Sequence, residues 1–142
     1  MIVLHPLKHN TAFEKADAEG FWEASVRDMK AKMARFNQIW HELGLPYSEP
    51  QGGYFVLVNM ASVRLPDDYP FPADVAARPR DFRLTYWLIH EFGVGAIPPT
   101  EFYTPANAAM AEDYLRFAVC KPDDVLDEAK RRLRGLKRYI EG

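Results

Sequence analysis

The sequence predicts an α+β domain, an α/β sandwich in which a small three- to four-stranded sheet carries helices packed on it. Three observations point there. A helical seam of apolar residues runs from Phe21 to Leu43, short β-branched and aromatic runs recur at 54–58, 94–97 and 115–120, and the 142 residues are 48% apolar and 27% charged. That length suits one core, by the prior of about 100–200 residues per domain. It leaves no room for the two lobes that a large cofactor enzyme usually needs.

The elements follow in chain order. Trp22, Val26, Met29, Met33, Phe36, Trp40 and Leu43 recur at alternating four- and three-residue spacing, so Phe21 to Leu43 reads as one amphipathic helix. Its outer face carries Glu23, Arg27, Lys30, Lys32 and Arg35, and Gly44 is placed to end it in the left-handed conformation. The seam is aromatic and Met-rich and lasts only about three heptads, which favours packing on a sheet over a coiled coil. After a turn-rich connector, Tyr54 to Val58 reads as a buried strand. Asn59 to Arg80, with Pro66, Pro70, Pro72 and Pro79, reads as a surface excursion long enough to cover something.

Asp81 to Phe92 resumes helical spacing, with Phe82, Tyr86, Trp87 and Ile89 expected to face inward or toward a neighbour and Gly93 as the stop. Val94 to Ile97 is expected to be a short strand, ended by Pro98-Pro99 because neither can donate to a ladder. Thr104-Pro105 is a favourable opening for a short helix within the loop from Thr100 to Asp113. Leu115 to Cys120 reads as the third strand. The last helix starts at Pro122-Asp123-Asp124 and turns Val125, Leu126, Ala129, Leu133, Leu136 and Ile140 inward.

Composition excludes several classes. Eighteen Lys and Arg against 20 Asp and Glu give a net charge of −2, which offers no overall attraction to nucleic acid or to an anionic membrane. The basic run from Lys130 to Arg138 reads as a solvated helix face, with no interleaved aromatic residues to suit nucleic acid. A single Cys120 forbids an intramolecular disulfide and reads as a small buried hydrophobe. Met1 to Leu7 is too short an apolar stretch to span a bilayer, and no export signal or Arg-bearing presequence is evident. The expected compartment is the cytoplasm, with the mitochondrion as the alternative for a full-length parent.

Few residues offer chemistry. His5, His9, His41 and His90 are scattered without metal-ligand spacing, and there is no GxSxG, P-loop or GxGxxG. No catalytic or metal-binding residue is therefore assigned. Arg116 stands out because it interrupts an apolar strand. It reads either as an edge cation paired with Asp113 or Glu112, or as a guanidinium fork for a carboxylate.

Three ordered blocks then carry a resemblance: Gly52-Gly53-Tyr54-Phe55, Gly93 through Tyr103, and Leu115 through Lys121. Together with Arg27-Asp28-Met29 and the Leu43 to Pro46 turn, they make the chain similar to the C-terminal part of class I pyridoxal-phosphate aminotransferases. The similarity is greatest to the kynurenine aminotransferase and cysteine-conjugate β-lyase branch. It covers roughly Thr11 to the end, so 11–142 is expected to be the small domain of a fold-type I pyridoxal-phosphate enzyme, with 1–10 an unmatched segment.

The resemblance implies that Arg116 binds the substrate α-carboxylate, that Phe55 is an apolar wall, and that Tyr103 and the Ile97-Pro98 turn approach the same cleft. It also implies amino transfer from an L-amino acid to a 2-oxo acid, a large catalytic domain as partner, and a homodimer. No lysine here stands in the Ser-x-Ser-Lys setting of the family's cofactor-bearing lysine. Pyridoxal phosphate is thus expected in the parent but not bound covalently by this chain, which is expected to be inactive alone. The alternatives are a non-catalytic carboxylate-binding module and a truncated gene product.

Overall fold

The fold is described by a computed structural model over residues 9–18 and 20–140. His5 and most of the unmatched segment 1–10 lie outside the described residues. The elements are α1 (His9–Ala18), α2 (Phe21–Leu43), β1 (Phe55–Asn59), α3 (Ala73–Ala76), α4 (Arg80–Phe92), β2 (Tyr114–Ala118) and α5 (Asp123–Leu133). Two short 3-10 turns, Pro99–Phe102 and Ala108–Met110, precede β2, and a third, Arg134–Tyr139, follows α5.

The long helix α2 forms over the span its periodicity predicts. Gly44 closes it at φ 68°, its amide bonding back to the Trp40 and His41 carbonyls. Gly93 closes α4 in the same way at φ 62°. Helix α1 has no counterpart in the sequence reading, because its ten residues carry no sustained apolar seam.

The sheet corrects the expectation of three to four strands. It has two antiparallel strands, with Phe55 opposite Ala118, Leu57 opposite Arg116 and Asn59 opposite Tyr114. Each edge carries only an isolated bridge: Tyr47 to Val58 on one side and Ile97 to Arg116 on the other. The run 94–97 falls short of a strand for local reasons. The Val94 amide is spent on the Leu88 carbonyl as part of the α4 stop, and Pro98-Pro99 follow at once, so only Ile97 exchanges both bonds with Arg116 (2.9 and 3.0 Å).

Along both strands burial alternates strictly. Val56, Val58, Leu115 and Phe117 face the helices, where Trp40 and Phe36 lie 4.7 and 6.4 Å from the Phe117 ring. Burial of a side chain as large as Trp40 contributes about 1.5–3 kcal/mol, so this contact fixes α2 on the sheet as expected. The opposite sheet face, with Phe55, Leu57 and Arg116, stays half-exposed.

Several finer expectations change. On α4 the inward residues are Leu84, Trp87, Leu88 and Phe92, whereas Ile89 is exposed. The excursion 59–80 covers the core itself, since Met60 and Val63 are buried in it. Thr104-Pro105 opens a turn instead of a helix. Val125 is exposed, and α5 gives way to 3-10 geometry after Leu133. Cys120 is exposed and unpaired, because β2 ends at Ala118 and Val119 takes the inward position beyond it.

Candidate functional site

Arg116 sits in the middle of β2 on the half-exposed sheet face, its backbone locked on both sides by Leu57 and Ile97. The guanidinium carbon lies 4.2 Å above the Phe55 ring and 4.4 Å from the Phe102 ring. A cation between two aromatic faces is stabilised by about 0.5–2 kcal/mol per ring, more where water is excluded. The sequence reading anticipated Phe55 and missed Phe102. Its ring arrives because the 3-10 turn Pro99–Phe102 follows directly on the Ile97 bridge.

The ordinary structural explanation of Arg116 fails. Asp113, the expected partner, is held by Arg80 at 3.0 Å, and Arg80 also donates to the Met60 and Val63 carbonyls. Among the described residues no carboxylate pairs with Arg116, and its Nε is buried without a hydrogen-bond partner. A buried donor left unpaired costs about 1–3 kcal/mol.

Tyr103 follows the turn with its amide bonded to the Thr100 carbonyl at 3.1 Å and its side chain 43% exposed. The second ring at Arg116 comes from its chain neighbour Phe102. A groove of ≈ 630 Å³ lies between Ile97, Phe117 and the start of α5 and touches Arg116, with Lys121, Asp124 and Arg132 on its walls; Phe55, Phe102 and Tyr103 do not line it. This volume suits a small organic acid.

The remaining candidates have structural partners. His41 shares a 2.7 Å hydrogen bond with the Tyr47 hydroxyl, and His90 stacks on Tyr86. The basic run is largely engaged. Lys130 is buried on the Arg35 carbonyl, Arg131 and Arg132 hold Glu128, and Arg134 holds Glu42. Those two arginines draw the Glu128 carboxyl down to about 2. Among the described residues no group of three His, Cys, Asp or Glu could hold a metal ion, and no helix is long and apolar enough to cross a membrane.

Neither Lys130 nor Lys121 is set for covalent cofactor attachment. Lys130 spends its ammonium on Arg35 O (2.9 Å) and Gln38 Oε1 (3.4 Å), and Lys121 is exposed at the groove rim. No step of cofactor chemistry is assigned to this chain.

No protein-family model matches the chain. A probable kynurenine–oxoglutarate transaminase of Saccharomyces cerevisiae is 48% identical over 121 residues, which are 85% of this chain and 27% of that protein. A kynurenine–oxoglutarate transaminase of Dictyostelium discoideum is 32% identical, over 94% of this chain and 33% of its own length. The crystal structure of the yeast putative kynurenine aminotransferase superposes with a TM-score of 0.88, covering 92% of this chain and 31% of its own. That of N-succinyldiaminopimelate aminotransferase from Mycobacterium tuberculosis, 30% identical, superposes with a TM-score of 0.65 over 89% of this chain and 29% of its own. The chain therefore spans about a third of the length of the relatives it matches. By sequence and by fold it corresponds to the C-terminal part of aminotransferases of the kynurenine–oxoglutarate transaminase branch.

Proposed function

We propose that residues 11–142 are the substrate-carboxylate-binding small domain of a pyridoxal-phosphate-dependent aminotransferase that moves an amino group from an L-amino acid, of kynurenine or glutamine type, to a 2-oxo acid. The observation that carries the reading is Arg116, fixed between Phe55 and Phe102 with no carboxylate partner of its own. Its planar fork donates to two carboxylate oxygens at once and keeps its charge at any working pH. Phe55 forms the apolar wall, excluding water from one face of the ion pair, and Tyr103 lies at the mouth of the cleft.

Orientation is this chain's part of the reaction. Holding the α-carboxylate by two parallel bonds fixes the amino group of the substrate relative to the strand, which removes rotational freedom before any bond is made. The electron-sink chemistry belongs to pyridoxal phosphate, carried by a larger catalytic domain that pairs with this one, in a homodimer as in the family. Phe21 and Val26, exposed to 53% and 55%, support the presence of such a partner.

Calorimetry with 2-oxoglutarate and with kynurenine tests the reading. Binding is expected in the chain with Arg116 and is expected to fall at least tenfold in Arg116→Ala, since loss of a charge-assisted bidentate pair costs roughly 1.5–3 kcal/mol. Equal binding in both proteins would remove the clamp. Arg116-dependent binding at full strength in the absence of cofactor and of any further domain would favour the stand-alone carboxylate-binding module.

A further inference from the structure

Asp81 is fully buried at the start of α4, and among the described residues it forms no salt bridge. Its carboxylate accepts three hydrogen bonds. Oδ2 takes the Thr100 amide at 2.8 Å, while Oδ1 takes the Thr100 hydroxyl at 3.0 Å and the Phe82 amide at 2.9 Å. Two of the three go to a residue nineteen positions away, itself buried. A cap for α4 would need only the third.

Thr100 is the second residue of the turn Pro99–Phe102, whose last residue lays its ring on Arg116. Pro99 and Thr100 are buried at the base of the turn while Phe102 at its tip is 62% exposed, so the ring is held through that base and not by packing of its own. It is fixed at its base by the Ile97 bridge to the Arg116 backbone and in its middle by Asp81. The surface pair Arg78 to Glu101 (3.0 Å) adds only a screened contact.

We propose that Asp81 and Thr100 are positioning residues for Arg116. By pinning the 99–102 turn, they hold Phe102 over the guanidinium, so that Phe55 and Phe102 keep its plane fixed and its donor edge presented to a substrate carboxylate. The functional half of this rests on the carboxylate reading above; the positioning half does not. Asp81→Asn replaces one acceptor with a donor, and either the Thr100 or the Phe82 amide is left facing an NH2 group. Thr100→Val removes the hydroxyl bond alone, and Thr100→Ser keeps it.

The test reads the Arg116 Nε–H resonance in the full chain by nitrogen-15 NMR, assigned by its loss in Arg116→Lys. A proton between two ring faces is shielded and lies upfield of exposed arginines. Asp81→Asn and Thr100→Val are expected to move it toward the exposed position, and Thr100→Ser to leave it. In a Phe102→Leu background, Asp81→Asn is expected to add little, because both changes act through the same ring. Titration with 2-oxoglutarate is expected to show about fivefold weaker binding in Asp81→Asn, the factor equivalent to one ordinary hydrogen bond.

An unmoved resonance in both Asp81→Asn and Thr100→Val overturns the proposal, as do simply additive shifts of Asp81→Asn and Phe102→Leu. Should Asp81→Asn fail to fold, Thr100→Val against Thr100→Ser decides alone. If the resonance moves as expected while 2-oxoglutarate binds wild type and Arg116→Ala alike, the positioning stands and the carboxylate reading falls.

Discussion

Gly93 occupies φ 62°, where a side chain costs about 1–2 kcal/mol. A Cβ there would also press on the Arg132 guanidinium, the flexible end of a long chain that can yield. Backbone strain therefore sets the cost. Gly93→Ala is expected to lower unfolding stability by about 1–2 kcal/mol in urea titration, whereas Gly95→Ala, with nothing within 4 Å and no left-handed backbone, is expected to be neutral or slightly stabilising. Equal effects at the two sites would refute the argument. Gly93 was readable in the sequence because a helix stop is a local event, set by the residues just before it. Arg116 was readable as an anomaly, since one charge in an apolar strand needs an explanation. Asp81 was not, because its partner Thr100 comes into reach only when α4 and the 99–102 turn are folded together. Phe102 escaped for the same reason, and the adjacent Tyr103 took its place in the expectation.

Elements were legible where their periodicity was sustained. The 23 residues of α2 give six turns of evidence, and both ends agree with the expected ones. The strand expected at 94–97 misled because a β-rich tetrapeptide says nothing about whether its amides are free to pair. Between α2 and α5 the joint is ionic as well as apolar: Arg35 reaches both Asp123 and Asp127, and Lys32 donates to the Lys121 carbonyl at 2.8 Å.

Glu128, the anchor on the outer side of α5, titrates at about 2 against an ordinary 4.5, chiefly because Arg131 and then Arg132 donate to it. A carboxyl lowered on folding adds stability that is complete above the unfolded value and disappears as pH falls through the folded one. Hence the urea midpoint difference between the wild type and Glu128→Gln is expected to be constant above about pH 4.5 and to vanish by about pH 2. It is also expected to shrink in 1 M salt, since the group is at the surface. A difference that persists unchanged at the acid end would assign the effect of the substitution to something other than charge.

At the scale of the molecule, the seam of α2 is continuous in sequence but covered only in its second half. Met33, Phe36, Trp40 and Leu43 are buried in the core, whereas Phe21, Trp22 and Val26 stand 53%, 43% and 55% exposed. The same early turns border a groove of ≈ 830 Å³ against the 47–54 connector, with Asn37 among its lining residues. Phe21 and Val26, more than half exposed, contribute less to stability than the buried half of the seam, because less of their apolar area leaves water on folding. The double substitution Phe21→Ser with Val26→Ser is therefore expected to leave the melting temperature within a few degrees, the residual change reflecting helix propensity. The same substitution is expected to reduce sharply the fluorescence of a hydrophobic-surface dye. Replacing Met33 with Ser, two helical turns farther along the seam, should do the opposite: a lost buried side chain costs about 2–5 kcal/mol and opens the core to the dye. If the outer pair destabilised the chain as strongly as Met33, that end of α2 would be a folded interior and not an uncovered face.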